Sequence, residues 1–256
     1  MIEAHPVAVA TTRDAFLGGS LDIEQPATGY RAGLDAVLLA AACRAKPGEH
    51  VLDAGAGVGV VGLCVARRLR GVMVTMVERE PVHATLATAN AARNNLADRV
   101  TVVTADLTHP LSRLPALVSA LATFDHVLAN PPYHADSRGT AATDPLKAGA
   151  NAMAEGSLDD WARFLAAMAK PSGSLTLIHR ADKLDEIMAV LDRRFGALVL
   201  TPVHPRLGEA ATRILVRGIK GSRAPLTIAS GLVLHDAQGF CPNIEAVLRH
   251  GAALGT

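Results

Sequence analysis

Aromatic side chains are scarce in this chain: they form 3% of 256 residues, with one tryptophan, two tyrosines and five phenylalanines. That leaves no interleaved aromatic platform of the kind on which several bases stack. Cysteine is scarcer still. Cys43, Cys64 and Cys241 are odd in number, far apart and free of any C-x-x-C spacing. This excludes a disulfide framework and a thiolate zinc site, and it fits a reducing compartment with the thiols as buried packing groups. Neither sign of charge dominates. The net charge of +1 gives no global field to attract or repel a polyanion. No apolar run approaches the ~20 residues needed to span a bilayer, and no charged segment followed by an apolar one opens the chain. What is present is bulk: 50% hydrophobic residues over 256 positions, enough for one sizeable domain with a small appendage. The expectation is a cytoplasmic protein without a membrane segment or a metal.

Strand and helix signals alternate along the chain. Residues 14–25 read as a hairpin around Gly18-Gly19, and 33–48 as a helix closed by Pro47-Gly48. Strands are expected at 50–55, 72–78, 99–106, 124–130 and 172–179. Helices are expected from Val60, over 81–95, over 157–170 behind Ser157, and over 183–196. Two adjacent strands follow at 197–205 and 212–220, then a β segment at 224–236 and a short helix. The strands are apolar throughout, as in a parallel sheet covered on both faces. The last pair lacks a crossover helix, so one strand should run antiparallel. The fold predicted is α/β, a Rossmann-like doubly wound, mostly parallel seven-stranded sheet. Residues 33–220 form its core, 1–32 an N-terminal β-hairpin extension, and 221–256 a C-terminal strand and helix packed on the core.

The first core strand ends in Asp53-Ala54-Gly55-Ala56-Gly57-Val58-Gly59. Glycines there permit a tight turn and close approach of a ligand to the backbone, though a tight turn alone would also use them. The spacing is not G-x-G-x-x-G. An anionic Asp53 beside the loop suits an ammonium better than a pyrophosphate. Glu78 ends the second strand, where a carboxylate can accept from both hydroxyls of a ribose. Asp106 ends the third, where an acceptor can bind the exocyclic amine of an adenine. Each acid alone could be a helix cap. Together they line the carboxyl ends of successive strands, where open α/β sheets bind ligands.

The fourth strand runs into Asn130-Pro131-Pro132-Tyr133. Two prolines fix φ and remove donors, so this turn is stiff and cannot continue as ladder or helix. With LDAGAGVG, Glu78, Asp106 and ANPPY in order, the chain resembles the class I S-adenosylmethionine-dependent methyltransferases over roughly residues 30–220. ANPPY is similar to the fourth motif of the amino-methyltransferases. The resemblance implies S-adenosyl-L-methionine as cofactor, contacted by Asp53, Gly55, Ala56, Gly57, Gly59, Glu78, Arg79, Asp106, Leu107 and Asn130, with Gly33 and Asp35 approaching it. It also implies catalytic roles for Asn130, Pro131, Pro132 and Tyr133. The Asn130 side-chain oxygen and the Pro131 carbonyl would accept the two N–H groups of a delocalised amine, and Tyr133 would stack on its ring.

The fourth motif permits adenine N6, cytosine N4 or a glutamine amide. TGYRAGLDAVLLAAA, the preceding LGGSLDIEQP and the segment after Arg206 resemble a bacterial family that methylates adenine N6 in the anticodon loop of valine tRNA. That implies a tRNA or other RNA partner. The roughly 30 residues before the core leave no space for the N-terminal helical domain usual in glutamine methyltransferases of release factors. Methylation of a protein glutamine or a small molecule is the second reading, and a non-catalytic RNA-binding protein that keeps the pocket is the third. The segment 134–156 is long, rich in small residues and only mildly basic, the character of a lid or of a disordered segment. Basic residues gather instead at Arg206, Arg213, Arg217, Lys220 and Arg223, against one acid, Glu209. They read as phosphate contacts or as charges guarding an edge strand.

Overall fold

The computed structural model describes residues 10–29, 31–132 and 157–255. Seven strands build the central sheet: β3 (His50–Ala54), β4 (Met73–Glu78), β5 (Val100–Thr104), β6 (Phe124–Ala129), β7 (Ala169–Arg180), β8 (Phe195–Arg206) and β9 (Arg213–Lys220). Their order across the sheet is β5-β4-β3-β6-β7-β9-β8. All neighbours are parallel except β9, which runs antiparallel to both β7 and β8. Helices α1 (Leu34–Ala42), α2 (Val60–Arg68), α3 (Pro81–Arg93), α4 (Pro115–Val118), α5 (Leu158–Met168) and α6 (Leu184–Leu191) connect them. Two buried clusters, one on each face, account for strands that are apolar on both sides. One holds Leu63, Val74, Leu128 and Leu215; the other holds Leu52, Val127, Phe164 and Leu177.

The sheet reaches nine strands, because the C-terminal segment adds two short ones to its outer edge. β10 (Thr227–Ile228) and β11 (Leu232–His235) both pair with β8 in parallel. The single segment expected at 224–236 is broken at Gly231. Its φ is +90°, and a Cβ there would lie 3.0 Å from the Pro202 carbonyl. Pro202 also has no amide hydrogen to offer to a neighbouring strand.

Helix α1 stops at Ala42, before the Pro47-Gly48 signal. Arg68 explains this: its Nη1 donates to the Ala40 carbonyl at 2.6 Å, serving a terminal acceptor that a further turn would have used. The hairpin forms as β1 (Thr11–Phe16) and β2 (Leu21–Pro26), joined by a 3₁₀ turn at Leu17–Gly19. That turn meets the last helix, α7 (Pro242–His250): a Cβ on Gly18 would lie 2.4 Å from the Arg249 carbonyl. The two flanking segments therefore share one buried cluster with α1 and α2. Among the described residues no helix is long and apolar enough to cross a membrane.

Candidate active site

The chain leaves β3 in one direction for β4 and β5, and returns on the other side with β6. Ligands in open α/β sheets bind at the carboxyl ends of the strands flanking such a reversal. Here those ends carry Gly55, Glu78, Asp106 and Asn130. A cavity of about 270 Å³ opens there, lined by Gly55, Gly57, Glu78, Arg79, Asp106, Leu107, Asn130 and Pro132 among others. A smaller cavity of about 50 Å³ shares Gly55, Gly57, His83 and Asn130 with it, and adds Gln25, Ala56 and Val58.

The glycine loop is pinned to the neighbouring strand. The amides of Gly55 and Ala56 both donate to the Val77 carbonyl, at 2.8 and 3.0 Å. The Gly57 amide donates to Glu78 Oε2 at 2.7 Å, and the Glu80 amide to Glu78 Oε1 at 2.9 Å. Glu78 is thus held by both oxygens, each with a further lone pair left for a ligand hydroxyl. At Gly57, with φ +56°, a Cβ would meet nothing within 4 Å, so the backbone here borders open space. At Gly55, with φ +67°, a Cβ would lie 2.3 Å from Trp161 Cη2. Trp161 comes from the first turns of α5, whose start is fixed by a capping box: Ser157 Oγ accepts from the Asp160 amide, and Asp160 Oδ2 from the Ser157 amide. Asp106 Oδ1 accepts from the Thr108 amide and hydroxyl at 2.9 and 2.7 Å, which turns the chain away from β5 and leaves Oδ2 without a hydrogen bond among the described residues.

Several of the expected residues line neither cavity. Asp53 is 1% exposed and lines neither cavity; its Oδ2 accepts from the Gly62 amide at 2.9 Å, anchoring the start of α2. Burial, and then the nearby Glu78 charge, raise its carboxyl to about 7, with the Gly62 bond acting in the opposite sense. Gly59 caps α2 behind the loop. Gly33 and Asp35 lie outside both cavities: Asp35 Oδ2 pairs with Arg213 Nε at 2.9 Å. The charge that was to approach the cofactor and one cation of the basic strip thus hold each other. Pro131 is buried behind the turn, and Tyr133 falls outside the described residues. His83, Trp161 and Gln25 were not expected here.

Comparison with known proteins fits this geometry. Residues 32–158 match the methyltransferase small domain. A solved structure from Agrobacterium tumefaciens, described as a predicted O-methyltransferase, is 33% identical, superposes with a TM-score of 0.72, and covers 86% of this chain and 98% of its own. The chain belongs to the S-adenosylmethionine-dependent methyltransferases. Two curated relatives carry the name tRNA1(Val) (adenine(37)-N6)-methyltransferase. The one from Porphyromonas gingivalis is 29% identical over 236 residues, 89% of this chain and 90% of its own. The one from Aeromonas hydrophila is 29% identical over 222 residues, 85% and 87% of the two chains.

This methyltransferase uses S-adenosylmethionine, and the crevice suits it. A mainly apolar cavity with an acid at each of two strand ends offers room for a ring, acceptors for ribose hydroxyls and an acceptor for an exocyclic amine. Among the described residues no group of three or more His, Cys, Asp or Glu is placed to hold a metal.

Proposed function

We propose that this methyltransferase modifies the exocyclic N6 of an adenine in tRNA. The observation that carries the reading is the stiff Asn130-Pro131-Pro132 turn at the end of β6, with Asn130 on the wall common to both cavities. The names of the curated relatives support it. An N–H acceptor pair is what a nitrogen nucleophile with a delocalised lone pair requires, and an oxygen acceptor has no use for it.

In this reading Glu78 binds the ribose, Asp106 and Leu107 the adenine end, and Gly55 and Gly57 the main-chain side of the cofactor. When bound, the cofactor supplies a methyl group on a sulfonium. Asn130 Oδ1 and the Pro131 carbonyl accept the two N–H groups of the target amine and direct its lone pair at that methyl. Tyr133 stacks on the base, a contact worth about 1–3 kcal/mol. The rate comes from orientation and preorganised acceptors rather than from a titrating side chain. Asp53 acts from beneath the loop, holding the start of α2 through the Gly62 amide. The target adenine leaves its stack to enter, which costs least in a single-stranded loop.

The test is transfer from methyl-labelled S-adenosylmethionine to unmodified bacterial tRNA, followed by digestion to nucleosides. N6-methyladenosine as the labelled product is expected. Label in protein or in small molecules, with none in RNA, refutes the substrate assignment.

A further inference from the structure

The two cavities that meet at Asn130 differ in charge. The larger, of about 270 Å³, is lined by the acids Glu78, Glu80 and Asp106, and its arginine, Arg79, pairs with Glu80 at 3.3 Å. Such a wall favours hydroxyl, amine and cationic groups over an anion. The smaller, of about 50 Å³, has no Asp or Glu in its lining among the described residues. Asp53 lies beneath the glycine loop and lines neither. The one titratable group on the smaller cavity is His83, which also lines the larger. The Gln25 amide on the same wall is already engaged: its Nε2 donates to Asp14 Oδ2 at 2.8 Å, and its Oε1 accepts from the Ala32 amide at 2.9 Å.

His83 is the third residue of α3, and two ties fix that helix against the glycine loop. Glu78 accepts from the Gly57 amide with one oxygen and from the Glu80 amide, just before α3, with the other. Asn90, two turns beyond His83, donates to the Val58 carbonyl at 3.0 Å. The imidazole therefore stands at the join of the two cavities on a rigid support. Among the described residues it makes no hydrogen bond and no ion pair. An imidazole has an N–H to donate in either protonation state.

The adenosine end of S-adenosylmethionine is uncharged, and its one anionic group is the carboxylate of the amino-acid tail. In the larger cavity that carboxylate would face three acids. In the smaller it meets none, finds a donor, and has space that a nucleoside would not have. We propose that the carboxylate of the cofactor's amino-acid tail enters the smaller cavity and accepts a hydrogen bond from His83, which thereby selects ligands that carry the tail. The inference rests on the reading of the larger cavity as the adenosine site.

Two uncharged thioethers separate tail from nucleoside. S-adenosylhomocysteine has the amino-acid tail; 5′-methylthioadenosine has a methyl group in its place. Both are titrated by calorimetry into the intact protein, as wild type and as His83→Ala. S-adenosylhomocysteine should bind the variant roughly tenfold more weakly or worse, and 5′-methylthioadenosine within about twofold of wild type. His83→Gln keeps an N–H donor and should recover part of the loss. Unchanged S-adenosylhomocysteine affinity in His83→Ala overturns the proposal. An equal loss for both ligands also overturns it, because His83 then serves the nucleoside or the fold. Glu78→Ala tests the reading beneath: both ligands should weaken, and unaltered binding of both refutes the adenosine site itself.

Discussion

A single methyl group at Gly55 would collide with the ring of Trp161 at 2.3 Å while forcing alanine into φ +67°. Gly55→Ala should therefore cost about 2–4 kcal/mol, from the left-handed backbone and the overpacking together. Chemical denaturation measures this, and the same variant should bind S-adenosylmethionine at least tenfold more weakly. Asp53 makes a prediction of a different kind. Its folded carboxyl titrates at about 7, above its ordinary value of 3.8. Between those values the folded protein holds a proton that the unfolded chain has released. Stability from this group is thus complete below pH ~4 and is lost as pH rises through ~7. Asp53→Asn keeps an acceptor for the Gly62 amide and removes the titration. It should flatten that decline by an amount on the order of a few kcal/mol, seen by comparing melts of the cofactor-free protein across this range. The strand-end acids Glu78 and Asp106 were legible because each closes an apolar run. Trp161 and His83 were not, because their place depends on how α5 and α3 settle against the glycine loop, which no local spacing encodes.

At the scale of elements, the hairpin is held by a ladder that only the fold reveals. Asn90 on α3 and Asn94 at its C-terminal cap, one turn apart, mimic a neighbouring strand. Asn94 accepts from the Asp22 amide and donates to its carbonyl at 2.9 and 2.8 Å; Asn90 does the same for Glu24 at 2.9 and 3.0 Å. Asn90 Nδ2 also reaches the Val58 carbonyl at 3.0 Å, so one buried amide ties the hairpin to the glycine loop. Asn90→Ala should lose about 2–3 kcal/mol, since it leaves buried backbone groups without partners. It should also weaken cofactor binding, whereas Asn94→Ala should lower stability alone. Element type was legible almost throughout, since apolar runs and caps mark it locally. Ends were less so. Arg68 shortened α1, Gly231 and Pro202 split the edge strand, and the turns at 111–118 between β5 and β6 carried no periodic signal.

For the whole molecule, the sheet brings β3, β4, β5 and β6 into one crevice from strand-end residues spread over 55–130. A ligand gripped there stabilises the fold by mass action. S-adenosylmethionine at 100 times its Kd should contribute about 2.7 kcal/mol, raising Tm by about 5–10 °C in a thermal melt. The order of the strand-end residues along the chain made the crevice readable. The hairpin's share in the smaller cavity, through Gln25, was hidden because it arises from long-range packing. The most direct test of the account is the single-turnover rate of methyl transfer to unmodified tRNA by wild type and Asn130→Ala, with cofactor affinity measured on both. The account predicts a rate lower by about 10²–10³, with the fold intact and cofactor affinity within a few-fold. Equal rates in the two proteins would contradict it.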